Sequence, residues 1–267
     1  MRRALRSLSL ASLPMLALLS ATHAQAGDIR SSPQRQEEEK DWKFEVGGGA
    51  MFERKYEGSD GYTVTPIPHI SIDYKDGLFF ANPFDGIGSY PIQGENYKIG
   101  ASVGLDFGRS ESDDRKNLRG MGDIDMSATA NLMGEYDVGP ITLSAKLTKG
   151  NGDYGMTAEA NVGTTYSVTE KLMLMGKVGM VWANADHMNS RFGVSGAQSA
   201  RSGYAAYKAG SGIKSVGVSV GAFYSISENW DAMLMLSGDQ LMGDAADSPI
   251  VKQKFQPTAM MSVSYKF

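Results

Sequence analysis

From Trp42 onward almost every second residue is apolar, and this two-residue period limits the possible folds more than any other feature. Trp42, Phe44, Val46, Gly48, Ala50 and Phe52 alternate with Lys43, Glu45 and Glu53. Near the other end Ala259, Met261, Val263, Tyr265 and Phe267 enclose Ser262, Ser264 and Lys266. Such a pattern gives strands whose two faces meet different surroundings. It recurs with little interruption along the rest of the chain, so the fold is all-β.

Two architectures produce that alternation. In a β-sandwich the apolar faces meet each other and the polar faces meet water. In a transmembrane barrel the apolar faces meet lipid and the polar faces enclose a wet lumen. The polar faces here are rich in small residues and poor in long charged ones. The apolar faces begin or end in aromatic residues, among them Trp42, Tyr62, Tyr74, Tyr97, Tyr136, Trp230 and Tyr265, as an interfacial girdle would. A mean hydropathy of -0.27 is too polar for a helical membrane protein, whereas a barrel needs only alternate residues to be apolar. The closing strand, 257–267, also resembles the aromatic ending by which bacterial outer-membrane barrels are recognised.

Connection lengths supply the strand count. The stretches 108–123, 184–212 and 242–254 are long; the connections at 91–96, 138–140, 169–170 and 227–229 are short. This is the asymmetry of short periplasmic turns and longer external loops. Parity then requires a turn at 82–86, which gives an antiparallel up-and-down barrel of twelve strands, with ten as the alternative. Pro66 and Pro68 donate no ladder hydrogen bonds, so the second strand is expected to bulge or fray at its outer end. The run Gly47, Gly48, Gly49 reads as a strand with close neighbours or strong curvature.

The address lies upstream. Arg2, Arg3 and Arg6, an apolar run at 8–19 and Ala24-Gln25-Ala26 form a secretory signal peptide over 1–26. Residues 27–41 are polar and charged, a flexible periplasmic lead-in, and 42–267 form the barrel. No cysteine occurs, which excludes lipid attachment at cysteine and disulfides. A formal charge of -4, made more acidic by loss of the leader's arginines, gives no reason to expect nucleic acid as partner.

Two loop segments fall outside strand periodicity. One runs from Phe192 through Ser195, Ser199, Arg201 and Tyr204 to Lys214; the other spans 241–251 and contains Asp244 and Asp247. Both resemble signature stretches of the MipA/OmpV family of Gram-negative outer-membrane proteins, and Gly58-Ser59-Asp60 and Gly86-Ile87-Gly88 fit the same pattern. The resemblance covers essentially the whole mature chain. It implies residence in the outer membrane and a non-enzymatic scaffold role in peptidoglycan assembly, linking a lytic transglycosylase to a bifunctional murein synthase. Other members are described as surface antigens, adhesins or candidate channels. The family defines no catalytic residues to carry over.

Independent chemistry is sparse. His187 with Ser195 or Ser199 could form an acyl-transfer pair, but there is no G-x-S-x-G elbow, and loop serines are common. Two mature histidines and no cysteine argue against a transition-metal site. Asp113, Asp114, Asp123 and Asp125 lack EF-hand spacing and read as a solvated loop. No catalytic, cofactor or metal residue is therefore expected. The candidate functional residues are Arg201, Tyr204, Lys214, Asp244 and Asp247. The loop carrying Arg201 has little apolar content to hold it rigid; in one arrangement it folds into the barrel mouth, with Arg201 pairing Asp244 or Asp247. The alternative to the scaffold is a small passive channel or a surface adhesin; in the channel, Lys43, Lys98, Lys146 and Lys177 against Glu45, Glu135 and Glu159 would line the lumen.

Overall fold

The computed structural model describes residues 41–267; the leader expected at 1–26 and all of the lead-in except Asp41 lie outside it. Twelve antiparallel strands close into one barrel. They are β1 Trp42–Arg54, β2 Tyr62–Tyr74, β3 Phe79–Asn82, β4 Gly86–Gln93, β5 Tyr97–Asp106 and β6 Ser127–Val138. The second half comprises β7 Ile141–Gly150, β8 Met156–Ser167, β9 Leu172–Ala183, β10 Gly212–Ser225, β11 Trp230–Leu241 and β12 Phe255–Lys266. The turn expected at 82–86 is present: Asn82 pairs with Gly86, and its side chain accepts from the Phe84 and Asp85 N–H groups at 2.9 and 2.8 Å.

The wall is apolar on its outside. Val64, Val103, Leu105, Leu132 and Met261 are each more than half exposed, as side chains facing lipid are in the absence of lipid. Aromatic rings gather at both rims. Trp42 lies 4.5 Å from Tyr74 and Trp230 lies 5.2 Å from Tyr265 on the short-turn side, while Phe52 stacks on Tyr62 at 4.6 Å on the long-loop side.

The seam between β1 and β12 depends on small residues. A Cβ at Gly47 would stand 2.0 Å from the Val263 carbonyl oxygen, and one at Gly49 would stand 2.2 Å from that of Met261. The glycine run is a close-approach device, as its sequence suggests. The expected bulge in β2 is absent. Its register with β1 is unbroken from Tyr62 to Tyr74, because the two prolines turn their nitrogens away from β1.

Inside, polar side chains bond across neighbouring strands. Asn131 donates to Ser102 at 2.9 Å and accepts from Thr148 at 2.8 Å. The long charges expected in the lumen are mostly paired: Lys98 with Glu135 at 3.0 Å, Lys146 with Asp85 at 3.4 Å, Lys43 with Asp76 at 3.1 Å, and Glu45 with His69 at 3.2 Å. An irregularity in the β4–β5 register between Ser89 and Ile92 brackets Tyr90, which is buried with Phe80 and Met133.

Candidate functional site at the barrel mouth

The long connections fold against one another over the mouth. Four short helices shape them: α1 Arg115–Leu118, α2 Ala185–Phe192, α3 Gly196–Ser202 and α4 Gly243–Ala246. Asn184 caps α2 by accepting from the His187 N–H at 3.0 Å. Ser195 and Gln198 form a reciprocal capping box on α3, and Gly203, at φ 81°, ends that helix in the left-handed region.

The loop at 184–211 is not held loosely. Met188 and Phe192, four residues apart on one face of α2, are fully buried against Ala183, Ala209, Leu241, Ala245 and Ala246. Beside them Met121, Val194 and Ile250 form a second apolar cluster flanked by Tyr204 and Tyr207. The expectation of too little apolar content is thereby corrected: few apolar residues suffice when two adjoining loops contribute the other half of the core.

The five residues singled out in the sequence do not converge. Arg201 donates from Nε to the Gly120 carbonyl at 3.2 Å and does not meet Asp244 or Asp247, so the expected pairing is not made. Asp247 is paired with Lys254 at 3.2 Å. The Asp244 carboxylate accepts from the Gly210 N–H at 2.6 Å, and its carbonyl accepts from the Tyr207 hydroxyl at 2.8 Å. Tyr204 donates to the Asn117 carbonyl at 3.0 Å, and the Lys252 ammonium sits 4.3 Å from its ring centre. Three of the five, Arg201, Tyr204 and Asp244, thus fasten loop to loop, and Asp247 pairs within its own loop. Lys214 alone turns downward and pairs with Glu57 at 2.7 Å.

That pair opens onto a polar cavity of about 150 Å³ beneath α2, whose lining includes Asp106, Glu159, His187 and Arg191. Sequence reasoning did not single out Glu57, Asp106 or Arg191 as site residues; they come from separate loops and strand ends, and no local spacing links them. Arg191 is ion-paired with Asp106, and Arg109 donates to the Arg191 carbonyl at 3.1 Å. Burial alone would raise the Glu57 carboxyl, but the adjacent Lys214 outweighs it and holds that carboxyl below its ordinary range. Burial, reinforced by Lys214, lowers His187 to about 4. At neutral pH its ring is therefore uncharged, and its Nδ1 hydrogen goes to the Tyr154 carbonyl at 2.7 Å.

The Ser–His pairing considered above is not formed. The Ser195 side chain accepts from the Gln198 N–H, and Ser199 donates to the Tyr204 carbonyl. The acidic loop residues serve as structural acceptors: Asp114 for Ser59 and Asn117, Asp113 for the Ser110 N–H, Asp123 for the Glu111 N–H. Among the described residues no group of three or more His, Asp or Glu is placed to hold a metal ion.

The sequence from 46 to 267 matches the family described as MltA-interacting protein MipA. The chain belongs to the MipA family. No curated protein matches it. Among solved structures, this MipA-family barrel is similar to a KdgM porin at 10% identity and a TM-score of 0.45, over 84% of this chain and 99% of that one. A NanC porin gives 7% identity and a TM-score of 0.43, over 84% and 100% of the two chains. OmpT of Vibrio cholerae gives 10% and 0.37, over 85% and 97%.

Proposed function

We propose that this MipA-family protein is a non-enzymatic scaffold of the outer membrane, exported with a cleaved leader, that brings a lytic transglycosylase and a bifunctional murein synthase together during peptidoglycan assembly. One observation carries the reading. The loops at the external mouth interlock around their own apolar core, and most charges on the inner wall are neutralised by neighbours. A barrel so arranged is suited to presenting a rim more than to passing solute. The rim that would face the murein is formed by the short turns 75–78, 94–96, 139–140, 168–171 and 226–229. The family's description as interacting with MltA agrees with a murein hydrolase as one partner.

Cross-linking in envelope fractions followed by affinity capture tests it. Joint recovery of a transglycosylase and a synthase is the expected result, and substitutions in the short turns should abolish it. Repeated recovery of the barrel alone, with stepwise conductance in planar bilayers, would replace the scaffold by the channel.

A further inference from the structure

The ring of twelve strands is closed at the short-turn side, but among the described residues its wall is incomplete toward the loops between β2 and β5. β3 pairs with β2 only from Tyr74↔Phe79 to Ile72↔Ala81, although β2 continues outward to Tyr62. In that register the residue opposite Ile70 would be Pro83, which has no N–H to donate, and there the chain turns back into β4. β4 leaves β5 beyond Ile87↔Val103. Among the described residues, two strand positions, each about 4.8 Å wide, are therefore vacant between β2 and β5 in the loop-side half of the wall.

The opening is framed. Its lower border is the β3–β4 turn, with Asp85 held by Lys146. Its upper border is a clasp between two external loops: Ser59 donates to Asp114 at 2.9 Å, and Lys116 and Asn117 donate to Asp60 at 2.9 and 2.8 Å. Thr65 points inward yet is exposed, beside the vacancy. Tyr62 and Tyr74 mark the two ends of β2, which places the gap within the membrane.

The chemistry of the free edge identifies what fits there. Lys75 donates to the Asp41 carbonyl at one end of β2, and Gly61 accepts from the Lys55 N–H at the other, so the odd-numbered residues face β1. Alternation turns the backbone groups of Tyr62, Val64, Pro66, Pro68 and Ile70 toward the gap. Two of these five have no N–H, so the edge is rich in acceptors and poor in donors. A strand from a second copy could not complete a ladder on it. A molecule bearing several hydroxyl donors could satisfy the carbonyls, while Val64, Ile70 and Leu105 hold a hydrocarbon tail outside.

We infer that the opening is a lateral slot for a glycosylated lipid of the outer leaflet, its sugar hydroxyls on the β2 edge and its acyl chains in the membrane.

The chain has no cysteine, so a nitroxide can be placed singly at Thr65→Cys, with Thr63→Cys as a second position beside the gap. Ser219→Cys, inward on the continuous wall between Lys177 and Ser237, is the control. Heat-modifiable migration checks each fold. The barrels are placed in phosphatidylcholine vesicles with or without lipopolysaccharide, and dodecyl maltoside is added separately as a sugar-headed amphiphile foreign to the membrane. The expected result is a gain in collisions with membrane-dissolved oxygen at 65 or 63 over 219, and slowing of that label by lipopolysaccharide. Slowing by the maltoside alone would overturn assignment to a membrane lipid. Equal oxygen collisions at gap and control positions would show a sealed wall and end the proposal. Spin–spin broadening would place a second copy in the gap and equally end it.

Discussion

The Tyr56 hydroxyl donates to the Ile250 carbonyl at 2.7 Å, joining the first external loop to the last. Both residues are buried, Ile250 completely. Tyr56→Phe leaves that carbonyl without its donor, and an orphaned buried acceptor costs about 1–3 kcal/mol. The expected outcome is faster proteolytic cleavage within 55–61 and 242–254 at unchanged barrel content, read by limited trypsin digestion beside heat-modifiable migration.

The Glu57–Lys214 pair is the second fastening. Lys214→Met strands a half-buried carboxylate, and breaking a buried pair costs about 3–5 kcal/mol, reduced toward about 2 here because Glu57 keeps some access to solvent. Adding Glu57→Gln should restore most of the loss. Denaturation midpoints of the wild type, both single variants and the double variant measure the coupling directly. If Lys214→Met alone left the midpoint unmoved, the pair would have no role in holding the mouth.

Acid should loosen the mouth through His187. Its folded pKa, about 4, is below its ordinary value of 6.5, so the unfolded loop takes up the proton first. The stability this provides is fully present above pH 6.5 and is lost as pH falls through 4. That is about 3 kcal/mol at most from the size of the shift. Protease sensitivity of 184–211 should rise across this window. His187→Asn, which can still donate toward Tyr154 but does not titrate, should flatten the rise.

Gly49→Val tests the seam between β1 and β12. The added side chain would meet the Met261 carbonyl and the Ser262 side chain, and overpacking of this kind costs about 1–3 kcal/mol. A lower temperature for loss of the compact, heat-modifiable species is expected. Gly48→Val, on the outward face with only a distant neighbour, should be tolerated.

Replacing Pro66 and Pro68 together with Val restores two donors to the free edge of β2. An edge that can ladder recruits another strand, so detergent-solubilised protein should shift from monomer toward dimer, as read by light scattering on a sizing column. An unchanged mass would mean that the prolines are not what keeps the edge single.

Much of the barrel is legible in the sequence because its determinants are local. The side-chain period, the turn at Asn82 and the glycines of β1 each act over a few residues, and strand parity follows from loop lengths alone. The mouth is less legible. Whether Arg201 finds Asp244, Asp247 or the Gly120 carbonyl depends on where three separate loops lie, and charge complementarity cannot rank a carboxylate above a nearby backbone acceptor without geometry. Met188 and Phe192 look like a thin apolar complement until Leu241 at the end of β11 and Ala245 in the following loop meet them. The prolines of β2 are visible in the sequence, but the side of the strand they affect is not. Which way a missing N–H faces depends on register, and here the loss fell on the side without a partner.

The seam has a consequence for biogenesis. Phe267 donates to the Phe44 carbonyl at 3.1 Å, and β12 pairs with β1 from Lys266 to Ala259, so the ring is completed by its first and last staves. Until β12 arrives, β1 and β11 each carry a bare hydrogen-bonding margin, and no portion of the cylinder can shut on its own. Any form of the barrel in which β12 has yet to dock therefore exposes two unpaired strand edges, and the ring shuts only when the two ends of the strand series meet.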